Sequence, residues 1–213
     1  MFSLPRLYAI ADAAFGDPVL LARQLFDGGA RLVQVRNKIS GAGELLRQVQ
    51  AILELAPEDC HVVVNDCVDV VLLSAAAGVH LGQSDLPAAK ARMILPPHSI
   101  IGVSTHNLDQ ALRCQTEPID YIAAGPVFQT STKTDAEPII GLDGLREICA
   151  RVKMPVVAIG GITRQNAADV FECGVSSAAV ISDLLKFEDV ARRTADWLRY
   201  NSNVCQSPWT STS

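Results

Sequence analysis

Residues 119–138, IDYIAAGPVFQTSTKTDAEP, pass from an apolar run to a polar loop within a few positions. Ile122, Ala123 and Ala124 have the unbroken apolar character of a parallel strand buried on both faces. Gly125-Pro126 breaks that run, and Thr130, Ser131, Thr132 and Lys133 follow before helical patterning resumes near Gly141. A loop of this length between a strand and a helix is unusual in a compact domain and tends to carry function. Hydroxyls beside a lysine, where a parallel strand ends, suit a phosphorylated ligand, because both can bond phosphate oxygens. A solvated Thr/Ser loop would look the same in isolation, so the flanking chain has to decide.

Outward from this stretch, the same strand–loop–helix unit recurs in both directions. Strands are expected at 7–11, 32–36, 61–65, 78–81, 100–104, 120–124, 155–159 and 177–181. Helices are expected at 18–27, 44–55, 68–76, 86–94, 108–114, 141–151, 166–172 and 190–198. Uninterrupted βα alternation implies a parallel sheet under helical cover. About eight units in a chain of 213 residues predict an α/β fold with a single-domain (β/α)8 TIM barrel over residues 1–200. The polar, aperiodic segment 201–213 reads as a mobile tail. An open doubly wound sheet is the alternative, but the turn after the first strand, ADAAFG at 11–16, lacks the G-x-G-x-x-G spacing of a dinucleotide site.

Composition narrows the function classes. Hydrophobic residues at 49% and charged residues at 19% describe a globular chain and argue against disorder. A formal charge of −5 gives no basic footprint for nucleic acid, so an anion site would have to be a local cluster of cations. The opening MFSLPRLYAIAD has no basic segment followed by an apolar core and cleavage site, and no apolar run reaches membrane-spanning length. The six cysteines are scattered without a C-x-x-C pair, which fits small core residues better than zinc ligands or disulfides. The expectation is a cytoplasmic protein acting on small molecules, without nucleic-acid or membrane partners; the sequence allows a homo-oligomer without specifying one.

In a βα barrel, chemistry belongs at the carboxyl ends of strands. Alternation along 32–36 places Gln34 and Arg36 inward, with Lys38 just beyond. Inward cations need anionic partners, either a ligand or a structural salt bridge. Asn65 and Asp66 end the third strand, and Asp85 follows the fourth in LGQSD. Two carboxylates at adjacent strand ends can share a Mg²⁺ that completes its shell with water and substrate phosphate. As helix caps they would look the same. Ser104 could donate to phosphate, and His106 could transfer a proton or satisfy a local hydrogen bond. His80, before a glycine turn, reads as structural. Gly160-Gly161 and Ser182 follow the seventh and eighth strands, where βα barrels often form a phosphate site.

These pieces in order, QVRNK at 34–38, VVND at 63–66, GVHLGQSD at 78–85, GVSTH at 102–106, GPVFQTSTK at 125–133 and AIGGIT at 158–163, resemble the thiamine phosphate synthase (thiamine-phosphate pyrophosphorylase) family. The resemblance implies a (β/α)8 barrel that joins 4-amino-2-methyl-5-hydroxymethylpyrimidine diphosphate to 4-methyl-5-(2-hydroxyethyl)thiazole phosphate and releases pyrophosphate. It implies that Gln34, Arg36, Lys38, Asn65, Ser104 and Lys133 hold the pyrimidine diphosphate and that Asp66 and Asp85 hold Mg²⁺. Thr130, Thr132, Gly161, Ile181 and Ser182 would line the thiazole phosphate site. Arg36, Lys38, Ser104 and Lys133 would act in catalysis. Two alternatives share the scaffold: a thiazole tautomerase, which needs no diphosphate site, and a catalytically silent ligand-binding or regulatory protein. The first resembles the synthases less at the metal carboxylates, and the second would be marked by loss of Asp66, Asp85 or Lys133, all of which are present. Cys67 stands where an acidic or another polar residue is frequent in the family, and Ser84 where Glu is common.

Overall fold

The structure, a computed structural model, describes residues 3–130 and 138–204. Eight parallel strands close into a barrel in sequence order: β1 (Leu7–Asp12), β2 (Leu32–Arg36), β3 (His61–Asn65), β4 (Gly78–Leu81), β5 (Ile100–Thr105), β6 (Tyr121–Ala124), β7 (Val156–Ile159) and β8 (Ser177–Val180). The ring closes where β8 pairs with β1, with Leu7 opposite Ala178 and Ala9 opposite Val180. The helices are α1 (Pro18–Asp27), α2 (Ala42–Leu55), α3 (Val68–Ser74), α4 (Ala88–Ile94), α5 (Leu108–Cys114), α6 (Gly141–Arg151), α7 (Ala167–Glu172), α8 (Ser182–Leu185) and α9 (Val190–Val204). The closed barrel, rather than an open sheet, is therefore the outcome.

Period-two alternation sorts each strand into two layers. Leu7, Ala9, Ala11, Val33, Val35, Val62 and Val64 belong to the layer between sheet and helices. Tyr8, Ile10, Leu32, Val63, Tyr121, Ala123, Val157 and Ala179 form the separate inner core. Gln34, Arg36 and Asn65 share the parity of Leu32 and Val63, so they stand on the inner side toward the carboxyl ends, as the pattern predicts. On β6 and β8 the inner residues nearest that end are only alanines, Ala123 and Ala179, which leaves space above them.

Three local features depart from expectation. A single 3-10 turn, Ala13–Phe15, follows β1, and Asp12 caps it by accepting the Ala14 N–H. A one-turn helix, α8, begins at Ser182 directly after β8. Its brevity hides it from any periodicity test, which needs several turns. The closing helix runs to Val204, past the expected end at 198 and into the segment read as a tail; residues 205–213 lie outside the described residues. Among the described residues, no helix is long and apolar enough to cross a membrane.

Candidate functional site

A cavity of about 430 Å³ opens at the carboxyl ends of β5–β8. Its walls include Ser104, His106, Thr130, Gly161, Ile181 and Ser182. Gly160 and Gly161 turn the chain with φ of 102° and 65°. A Cβ at Gly161 would lie 2.6 Å from the Gln129 carbonyl oxygen and 2.8 Å from Phe128 Cβ. Only glycine lets the loop after β7 lie so close against the 127–130 segment, which the Val127 and Phe128 N–H groups tie to Ile159 and Gly160 carbonyls at 2.9 and 3.0 Å. Asn166 braces the turn, donating to the Gly161 carbonyl at 3.1 Å and accepting the Thr163 N–H at 2.8 Å. Ser182, on the cavity wall, opens α8, which has no side-chain cap.

His106 resolves to a local role at one nitrogen. Its Nδ1 lies 2.8 Å from the Gly125 carbonyl, which can only accept, so Nδ1 carries the proton. Its backbone N–H donates to Gln110 Oε1 at 2.7 Å.

The charged side of the barrel mouth lies over β1–β4. Arg36 Nη1 donates to Asp12 Oδ2 at 2.5 Å, and the two side chains are only 13% and 2% exposed. Lys38 Nζ reaches Asp66 Oδ2 at 3.0 Å, with Lys38 largely exposed. Both cations thus have the carboxylate partners that their placement demands. Asp85 lies near enough to act on the Asp66 carboxyl that Lys38 engages. Burial pushes the Asp66 carboxyl above its ordinary range; Lys38 opposes this, and Asp85 reinforces it.

The helix-capping alternative for the two aspartates fails. The N-caps of α3 and α4 are Cys67 and Pro87, and neither helix has a side-chain cap. Asp85 instead closes its own turn, accepting the Gly82 N–H at 2.6 Å. Asp66 sits at φ 63°, a left-handed conformation that a short polar residue tolerates better than most. Two carboxylates at adjacent strand ends, Asp66 being both desolvated and held in a left-handed backbone, are what a small hard cation would relieve. Among the described residues no group of three or more His, Cys, Asp or Glu side chains could hold a metal.

Between these two regions runs a buried polar chain. Gln34 Nε2 donates to the Tyr8 hydroxyl at 2.9 Å, and the Tyr8 and Tyr121 hydroxyls are 2.9 Å apart. His80 bridges Tyr121 at 2.9 Å through Nδ1 and Ser104 Oγ at 2.8 Å through Nε2. Gln34, His80 and Ser104 are 3%, 6% and 5% exposed. Burial pushes the Tyr8 hydroxyl up to about 12 and the Tyr121 hydroxyl well above its ordinary value, so both keep their protons.

Of the residues expected from sequence, the structure brings Ser104, Thr130, Gly161, Ile181 and Ser182 around one cavity. It gathers Lys38, Asp66 and Asp85 into one cluster and turns Arg36 onto Asp12. Asn65 is half-buried beside them at the end of β3, paired with His80 across the ladder. Gln34 is not on the cavity wall; it lies beneath, bonded to Tyr8. Thr132 and Lys133 lie outside the described residues. Asp12, Tyr8 and Tyr121 were not singled out from sequence. Asp12 carried a signal, as an inward carboxylate opposite Arg36 in the β1–β2 register; the tyrosines carried none beyond strand parity.

The chain matches the family model of thiamine monophosphate synthase over residues 7–184. A thiamine-phosphate synthase of Koribacter versatilis is 40% identical over 203 residues, covering 92% of this chain and 95% of that protein. One from Pyrococcus furiosus is 42% identical over 192 residues, covering 90% and 92%. The solved structure of thiamine phosphate pyrophosphorylase from Pyrococcus furiosus superposes with a TM-score of 0.86 at 40% identity, covering 93% of this chain and 96% of that one. A 3-hexulose-6-phosphate synthase superposes with a TM-score of 0.68 at 16% identity and shares the fold alone.

Proposed function

Because this chain belongs to the thiamine monophosphate synthase family, we propose that its barrel mouth joins the pyrimidine diphosphate to the thiazole phosphate with release of pyrophosphate. The observation that carries the reading is the placement, at one end of the barrel, of the Lys38–Asp66–Asp85 cluster beside a cavity closed by Gly161 and Ser182. The first suits a metal-bound diphosphate and the second a monophosphate.

The C–O bond between the pyrimidine methylene and the diphosphate breaks, and its electron pair leaves on the diphosphate. The thiazole nitrogen then gives its lone pair to form the new C–N bond. The aminopyrimidine ring stabilises cationic charge at the methylene, so a dissociative path follows. The protein's main tasks are to neutralise the departing charge and to hold two partners in line.

Arg36, Lys38, Asn65 and Lys133 would hold the diphosphate, with Ser104 at the pyrimidine and Gln34 acting on it from beneath through the buried chain. Asp66 and Asp85 would hold Mg²⁺, which when bound would supply positive charge to the diphosphate oxygens. Thr130, Thr132, Gly161, Ile181 and Ser182 would seat the thiazole phosphate. The loop carrying Thr130–Lys133 would keep water from trapping the cation. We place the protein in the cytoplasm, acting on small molecules; a homo-oligomer is compatible with this chemistry.

The test is to mix the purified protein with both substrates, in Mg²⁺ or in chelator, and to read thiamine phosphate as its fluorescent thiochrome. Mg²⁺-dependent product supports the reading. Absence of product from folded protein, together with turnover of the thiazole carboxylate tautomer, would replace it with the tautomerase.

A further inference from the structure

The buried chain linking Gln34 to Ser104 has a direction, and that direction controls what Ser104 offers the cavity. A phenol hydroxyl has one hydrogen to give, and a neutral imidazole donates at one nitrogen and accepts at the other. Gln34 Nε2 donates to Tyr8, and either hydroxyl of the Tyr8–Tyr121 pair could donate; a buried hydroxyl hydrogen without a partner is costly, and Tyr121 is the acceptor beside Tyr8, so the favoured direction runs from Tyr8 to Tyr121. Tyr121 then donates to His80 Nδ1, and His80 must carry its proton on Nε2, where it donates to Ser104 Oγ. The Ser104 oxygen is thereby occupied as an acceptor of that bond, and its own hydrogen is left to point elsewhere. Ser104 lines the cavity.

Several features hold the chain of groups in place. Both tyrosine hydroxyls keep their hydrogens, because burial raises them far beyond neutral pH. Gly102 reserves the space: a Cβ there would lie 2.0 Å from Tyr121 Cζ and 2.4 Å from its hydroxyl oxygen. The His80 ring stacks on Tyr121 at 5.6 Å between centroids, which fixes the imidazole plane.

We propose that Tyr8, Tyr121 and His80, anchored by Gln34, are positioning residues that make Ser104 a hydrogen-bond donor into the cavity and so select a ring-nitrogen acceptor on the pyrimidine. Reversing the relay would turn Ser104 into an acceptor, which a ring nitrogen cannot satisfy. The proposal rests on the reading above that Ser104 meets the pyrimidine, and it adds the residues that set its polarity.

Two measurements test it, and they fail separately. The first needs no substrate: ¹⁵N NMR of the ligand-free protein, with His80 assigned by loss of its signals in His80→Gln. His80 is expected as the Nε2–H tautomer, opposite to His106, whose Nδ1 donates to a carbonyl. An Nδ1–H tautomer at His80 would overturn the relay. The second compares kcat/KM for the pyrimidine diphosphate and for an analogue with the ring nitrogen replaced by C–H. Tyr121→Phe and Tyr8→Phe, checked as folded by thermal unfolding, should each lower the preference for the pyrimidine by roughly 10-fold, with KM for thiazole phosphate unchanged. Combined with Ser104→Ala, Tyr121→Phe should add nothing further, because the two act on one interaction. Full preference in folded Tyr121→Phe, or additive losses, would overturn the proposal. Should wild-type protein turn over neither compound, the synthase reading fails, and the tautomer of His80 still decides the relay.

Discussion

Lys38 and Asp66 lie 3.0 Å apart at the barrel mouth, a cation from the loop after β2 against a carboxylate from the loop after β3. Asp85 acts on the same carboxylate from the loop after β4. Burial first, then Asp85, raises the Asp66 carboxyl against the pull of Lys38. A group raised in the folded state favours folding at low pH, and that contribution is lost as pH rises through the folded pKa. At neutral pH, in the absence of divalent cation, the pair therefore weakens the fold.

Asp66→Asn should accordingly raise the stability of the cation-free protein at neutral pH by on the order of 0.5 kcal/mol, about 1–2 °C in Tm. Asparagine also tolerates the φ of 63°. The same substitution should raise the Mg²⁺ concentration needed for turnover or lower kcat sharply. Thermal unfolding from pH 4 to 8, with and without Mg²⁺, checks both. An unchanged Mg²⁺ requirement would remove Asp66 from the cation site.

Asp12 is the partner that keeps Arg36 inward. Asp12→Asn retains the shape and an oxygen for the Ala14 N–H but leaves a guanidinium that is only 13% exposed without its counter-charge. Breaking such a pair costs about 3 kcal/mol. Urea unfolding should show that loss, and added inorganic pyrophosphate should stabilise the variant more than it stabilises the wild type. Equal stabilisation of the two proteins would separate Arg36 from the diphosphate.

Gly161→Ala tests the monophosphate end. With φ at 65° and a Cβ placed 2.6 Å from the Gln129 carbonyl, the substitution must displace the 127–130 segment or the turn itself. KM for the thiazole phosphate should rise by roughly tenfold or more, with a smaller change for the pyrimidine diphosphate. Steady-state kinetics with each substrate varied in turn distinguishes the two. Equal increases would mean that the turn supports the whole site rather than one phosphate.

Ala75 ends α3 at φ 60° and ψ 28°, its N–H bonded to the Val71 carbonyl at 3.0 Å. The side chain is exposed, so nothing but its Cβ opposes the conformation. Ala75→Gly should stabilise the protein by about 0.5–1 kcal/mol, roughly 2–4 °C in Tm, without altering kinetics. A lower Tm would mean that the glycine's greater freedom in the unfolded chain outweighs the relieved strain.

Strand parity made much of this legible in the sequence. The run LVQVR assigns Val33 and Val35 to the helices and Gln34 and Arg36 to the barrel interior, and the structure follows it. Asp66 and Asp85 were ambiguous because a cap and a cation ligand use the same residue type next to the same kind of helix. The caps at Cys67 and Pro87, without side-chain bonds, remove the capping role. The relay was invisible for a different reason. Tyr8 and Tyr121 are 113 positions apart and meet only when the barrel closes, while Gly102 reads as an ordinary strand glycine until Tyr121 is seen in its space. His80 read as structural, which its two buried hydrogen bonds agree with, although they connect it to Ser104.

The most direct measurement is the ratio of pyrophosphate released to thiamine phosphate formed, followed in one reaction with Mg²⁺ present. Coupled transfer in a water-excluding cavity predicts equal amounts of the two products and no pyrophosphate release when the thiazole phosphate is left out. Pyrophosphate released without the second substrate, or no joined product from folded protein, would contradict it.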